Sequence, residues 1–270
     1  LHGMSGNLLW YWSRDAQGAP MGTDWFAGSL LQQPWALRAY AEESLSLRHF
    51  VPQVMAFSKG PRPVRLLYSE ASAIQDVGYL DCLRDTYEAL NFQGLPAGFV
   101  TERQLAERGV PAGTRLVIVP NARYVQDTTR PALRLALRRG VKVALVGDAC
   151  LTETPTGRRR AAAPLVGTLA SPLGTPRSYA ARLPDWFRAA GVSADLLALD
   201  AASRPAWGVE TRAARVGRQR LAYLINLSRL PARVRLRWRQ PGATPRDLRT
   251  GAAIPDTLTL RPRQLVFATY

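Results

Sequence analysis

Short, nearly unbroken apolar runs recur along the chain: LLWYW within residues 6–14, VRLLYS at 64–69, RLVIVPNA at 115–122 and VKVALVG at 141–147. Runs of this length, bounded by Gly, Pro or charge, fit strands buried on both faces, as in a parallel sheet. Between them the apolar period lengthens to that of helices. PWALRAYAEESLSLRHFVPQVMAF (34–57) predicts one helix with Pro34 in its first turn. Its apolar face is Leu37, Tyr40, Ala41, Leu45, Leu47, Phe50 and Val51, with Arg38, Glu42, Glu43 and Arg48 largely off it.

Residues 77–90 carry helical spacing through Tyr79, Leu80, Leu83, Tyr87 and Leu90. GFVTE (98–102) leads into a short helix that stops at Gly109, and 127–140 predicts a helix capped by Asp127 and ended by Gly140. Strands and helices alternating at this pitch predict a doubly wound α/β domain with a parallel sheet. The segment KGPRP (59–63) has the composition of a linker.

From Trp207 the rhythm becomes that of an antiparallel protein. In RVRLRWR, Arg233, Arg235, Arg237 and Arg239 alternate with Val234, Leu236 and Trp238, so one face is solvated arginine and the other core. Gly217-Arg218 marks a hairpin turn, and the last 64 residues predict a small β-sandwich. The expected domains are therefore 1–58, 64–203 and 207–270.

Charge complicates this picture. Lys and Arg total 36 against 20 Asp and Glu, a net charge of +16. Such an excess raises nucleic-acid binding, yet Lys59 and Lys142 are the only lysines and no binding motif accompanies the charge. The arginine bias matches codon usage in a GC-rich genome, and a nucleic-acid partner is not expected. Apolar stretches break before the roughly 18 residues of a membrane helix, and no basic-then-apolar leader follows Leu1. The expectation is a cytoplasmic protein with no membrane contact. Cys82 and Cys150 are too few for a disulfide framework or a zinc site, and no Walker or dinucleotide glycine pattern is present. No cofactor and no metal are expected.

The succession LLWYWSRD, LNFQGLPAGFVTERQL, RLVIVPNARYVQD, ALRRGVKVALVGDACL, LAYLINLSR and DLRTG resembles the C-terminal half of a β-galactosidase-type glycoside hydrolase close to family 42. The resemblance implies the last strand and helix of a (β/α)8 barrel over about 6–58, then a flavodoxin-like trimerisation domain and a small β-sandwich. It also implies that the catalytic carboxylates, which a retaining glycosidase holds about 5 Å apart, lie on barrel strands upstream of this sequence. Trp12 matches an aromatic position of the family's sugar pocket. Trp10, Trp12 and Arg14 are thus either remnants of a substrate wall or ordinary strand core.

Chemistry belonging to the chain itself centres on VALVGDACLTE (143–153), directly after a central strand, where open α/β sheets bind ligands. Cys150 is the candidate nucleophile, with Asp148 and Glu153 beside it. Related flavodoxin-like hydrolases place a cysteine in a comparable turn, but the glycine-flanked elbow is absent here and the two acids raise a thiol pKa. His49 and His2 are the available imidazole bases, and His2 beside Ser5 does not form a nucleophile elbow. Two functions follow. One is an oligomerisation and support module of a β-galactosidase-like enzyme, self-associating as a trimer or a segment-swapped dimer to cover the helix face at 37–51. The other is a hydrolase of small carboxyl, phosphate or sulfate esters, with a small carbohydrate or ester as ligand.

Overall fold

The structure is a computed structural model in which residues 34–161 and 165–270 are described. The strand expected at 6–14, with Trp10, Trp12 and Arg14, lies outside them. The chain divides into two compact units, residues 1–60 with 214–218, and residues 61–213 with 219–270.

In the first unit the single expected helix is two, α1 (Pro34–His49) and α2 (Val51–Lys59). Pro52 causes the break: it has no N–H to offer the carbonyl of Arg48, and its ring crowds that carbonyl. A new helix starts with Pro52 in its first turn, the position where proline is tolerated. No residue of α1 is buried, and Trp35, Leu45, Leu47 and Val51 are exposed.

The second unit begins with a parallel sheet. Its elements are β1 (Val64–Tyr68), α3 (Glu70–Gln75), α4 (Val77–Asn91), β2 (Ala97–Thr101), α5 (Glu102–Arg108), β3 (Leu116–Pro120), α6 (Thr129–Arg138), β4 (Lys142–Val146), β5 (Leu169–Ser171) and α7 (Pro176–Ala190). The strand order is β2-β1-β3-β4-β5, with every pairing parallel. β3, buried at every position, runs through the middle. Right-handed crossovers leading in opposite directions from β1 place helices on both faces. Accordingly α4 packs with α7 and α5 with α6. Asp127 does not cap α6. Thr128 holds the cap position without a side-chain bond, and Asp127 pairs with Arg160 instead. In the crossover between β4 and β5 the described residues, 147–161 and 165–168, form no helix.

Antiparallel strands complete the unit: β6 (Leu196–Leu199), β7 (Val209–Val216), β8 (Gln219–Asn226), β9 (Ala232–Trp238), β10 (Arg246–Asp247), β11 (Thr257–Leu260) and β12 (Leu265–Thr269). They form sheets of order β10-β12-β8-β7 and β11-β9-β6. Both sheets feed one apolar cluster that includes Leu196, Val209, Leu224, Val234, Leu260 and Val266. β9 alternates as its sequence demands, with Arg233, Arg235 and Arg237 exposed and Val234 and Leu236 buried. β6 pairs with β9 in the antiparallel sheet.

The two regions meet at a buried polar joint. Glu210 and Arg212, 1% and 6% exposed, form an ion pair at 3.8 Å. Arg212 also donates to the carbonyl and side-chain oxygens of Asn91 at the end of α4, both at 3.0 Å. Tyr223 donates its hydroxyl to Glu210, and Thr211 donates to the carbonyl of Leu196. Gly94 completes the contact. Its φ is +69°, and a Cβ there would lie 2.4 Å from the carbonyl oxygen of Leu196, so no other residue fits. Removing one member of a buried pair strands the other charge. Glu210→Ala should therefore lower unfolding stability in urea by about 3–5 kcal/mol, while Glu42→Ala, which breaks an exposed helix pair with Arg38, should leave the urea midpoint nearly unchanged.

Candidate functional site

In an open parallel sheet the crevice for ligands lies at the carboxyl ends of the strands where the strand order reverses, here between β1 and β3. The protein's own chain fills that place. Ser69 and Ser72, both fully buried, each donate a hydroxyl to the carbonyl of Tyr124 at 2.7 Å, and the Tyr124 amide donates back to Ser72 at 3.0 Å. Tyr79 accepts from the Ser69 amide at 2.8 Å. The loop after β3 is thereby tied down onto the start of α3.

Space opens instead along the same edge beyond β4, where no crossover helix covers the sheet. A cleft of about 320 Å³ is lined by Leu145, Asp148, Cys150, Leu151 and Leu165, with Arg130, Arg159 and Arg160 at its rim. Those three arginines also line an adjoining cleft of about 490 Å³, together with Asp127, Arg134 and Arg158. Between the clefts runs a small ordered hairpin in which Glu153 bridges to Arg159 on one side and to Tyr124 on the other. Arg160 braces it to the start of α6. Its guanidinium pairs with Asp127 and donates to the carbonyls of Val125 and Glu153, leaving the side chain 13% exposed. Glu153 is buried and paired with Arg123.

The structure brings Cys150 and Asp148 to one cleft, but the thiol is not presented as a nucleophile. Cys150 is 9% exposed and its Sγ donates to the carbonyls of Val146 at 3.1 Å and Val119 at 3.4 Å. Burial pushes its pKa up to about 12, so it is a protonated, packed thiol at neutral pH. Asp148 is exposed at the cleft mouth. His49 ends α1 in the first unit, exposed, with its ring edge-on to Phe50 at 4.7 Å. Among the described residues no group of three His, Cys, Asp or Glu is placed to hold a metal ion, and no helix is long and apolar enough to cross a membrane. The sequence analysis missed the arginine-lined cleft: the run Arg158-Arg159-Arg160 is visible in the sequence, but 36 basic residues hide its meaning until the fold sets it against α6.

No family model matches the chain, and no curated protein matches it. Solved structures do resemble it. An apo exo-carrageenase of glycoside hydrolase family 42 from Bacteroides ovatus has a TM-score of 0.79 at 19% identity, covering 96% of this chain and 36% of that one. A β-galactosidase from the psychrophilic Marinomonas ef1 has a TM-score of 0.58 at 13% identity, covering 93% of this chain and 45% of that one. Gan42B, a family 42 β-galactosidase, has a TM-score of 0.57 at 12% identity, covering 78% and 40%. The fold is therefore like that of part of these glycoside hydrolases, and the chain spans between a third and a half of their lengths.

The raised pKa of Cys150 has a consequence for stability. A thiol that ionises near 12 when folded, against an ordinary 9, favours the folded state below pH 9 and loses that contribution as pH rises towards 12. Tyr179, pushed up from 10 to about 12 by burial, acts in the same direction. Urea midpoints should fall from pH 9 upwards, less steeply in Cys150→Ala. In the native protein at pH 8, iodoacetamide should leave Cys150 unmodified, and it should label fully in denaturant.

Proposed function

We propose that this chain is a support and self-association module of a β-galactosidase-like glycoside hydrolase, with the catalytic carboxylates carried by parts of the enzyme outside this sequence. The observation that carries this reading is the extent of the match: 96% of the chain follows the fold of about a third of a family 42 enzyme. On this reading residues 1–58 are a barrel remnant, 64–203 a flavodoxin-like trimerisation-type domain and 207–270 a small β-sandwich, in a cytoplasmic protein. The order β2-β1-β3-β4-β5 is the flavodoxin-like order, and two antiparallel sheets over one core support the sandwich assignment.

Self-association is supported by the first unit. Trp35, Leu45, Leu47, Val51 and Met55 are exposed on α1 and α2, a density of large apolar side chains that soluble surfaces rarely leave bare. A second copy of the chain is the partner in this reading, as a trimer or a segment-swapped dimer. Hydrolysis of small esters is the competing reading. It is favoured by the shared cleft of Cys150 and Asp148, and opposed by the buried, protonated state of the thiol.

Sedimentation equilibrium tests the support reading. The purified chain should sediment as a discrete oligomer, and Leu45→Glu with Val51→Glu should convert it to a folded monomer. A wild-type chain that is monomeric at micromolar concentration contradicts the proposal.

A further inference from the structure

We propose that the cleft between α6 and the 152–161 hairpin binds a compact tetrahedral oxyanion, the sulfate or phosphate ester group of a small ligand. This goes beyond the support role and does not depend on it. Five guanidinium groups line the cleft, those of Arg130, Arg134, Arg158, Arg159 and Arg160, against one carboxylate, Asp127. That carboxylate is already engaged by Arg160. By residue count the lining carries five basic residues against one acidic one.

Rigidity makes this more than a chance crowding of surface arginines. The hairpin is closed by hydrogen bonds between Thr154 and Arg158 and between Arg160 and Thr152, at 2.9 and 2.8 Å. Arg160 then fixes it to the segment before α6 through two acceptors, Asp127 and the carbonyl of Val125, while also donating to the carbonyl of Glu153 within the hairpin. Arg158 and Arg159 are thus carried on a braced turn, while Arg130 and Arg134 stand one helical turn apart on α6. Holding like charges together costs free energy, and an oxyanion that accepts their N–H groups relieves that cost. The start of α6 adds to the field, since its first turn holds no acidic residue and its cap makes no side-chain bond. Burial first, and then the neighbouring charges of Arg134 and Arg160, lower the pKa of Arg130.

Shape selects the size of the ligand. A concave volume of about 490 Å³ suits a monosaccharide or a ligand of similar size bearing the anion, and does not admit a nucleic-acid duplex. The arginines of β9 differ in this respect: Arg233 and Arg237 are exposed on an open strand face. They serve as an internal control.

The test is calorimetric titration of the full chain with inorganic sulfate and inorganic phosphate at constant ionic strength, with chloride as the comparison anion. Saturable binding at one site per chain is expected for sulfate or phosphate and not for chloride. The double variant Arg134→Ala, Arg159→Ala should weaken it by about tenfold or more, and Arg233→Ala with Arg237→Ala should leave it unchanged. Both pairs are exposed, and equal melting temperatures without anion would establish intact folding. Parallel titrations with a sulfated monosaccharide and a sugar phosphate identify the source: tighter binding of either one than of its free anion supports the site and names the ester. Absence of saturation, equal binding of chloride, or equal loss in both double variants overturns the proposal.

Discussion

Adjacent parallel strands must be joined by a crossover, and in the one joining β4 to β5 the described residues form no helix. Much of the second unit's character follows from that constraint. Beside Leu145 a cleft opens, lined by Leu151 and Leu165 among other residues of this connection. An irregular connection must also satisfy its own backbone groups. The amides of Leu151 and Glu153 do so by donating to the carbonyls of Ala122 and Arg123 in the loop after β3, and the Arg160 side chain adds a bond to the carbonyl of Val125 there. The cationic rim and the burial of Cys150 are two results of the same substitution of loop for helix.

Elsewhere the parallel edge is closed. Ser69 and Ser72 knit the loop after β3 onto α3, so the customary crevice at the reversal of strand order is occupied by backbone. The antiparallel region is fixed to the parallel one by Arg212, whose guanidinium reaches Asn91 while Glu210 and Tyr223 balance it below.

The sequence made the sheet legible where burial was complete. LVIVP is apolar because both faces of its strand are covered, VRLLY buries Val64, Leu66 and Leu67 and leaves Arg65 and Tyr68 half-buried, and the period-two arginines of β9 follow from one covered face. Its silence had physical causes too. α7 contains Pro184 in its interior, which masks a helix whose start is announced by the Thr175 capping box and whose end is set by Gly191 in the left-handed conformation. β6 is apolar enough for either sheet, and only its pairing with β9 assigns it. The helix break at Phe50 was readable from Pro52. In the candidate site, Asp148 and Cys150 follow β4 in the sequence, but burial of a thiol is a tertiary property that no local pattern carries. The arginine cleft was invisible for the opposite reason, being written in residues too abundant to stand out.

The central proposal is that this chain is a support module of a glycoside hydrolase whose catalytic carboxylates lie elsewhere. Its most direct test is turnover by the purified chain of chromogenic galactosides, carboxyl esters, phosphate esters and sulfate esters, run beside Cys150→Ala and His49→Ala. The account predicts background rates for every substrate and no difference among the three proteins. Saturable turnover of any one substrate that either substitution abolishes would contradict it.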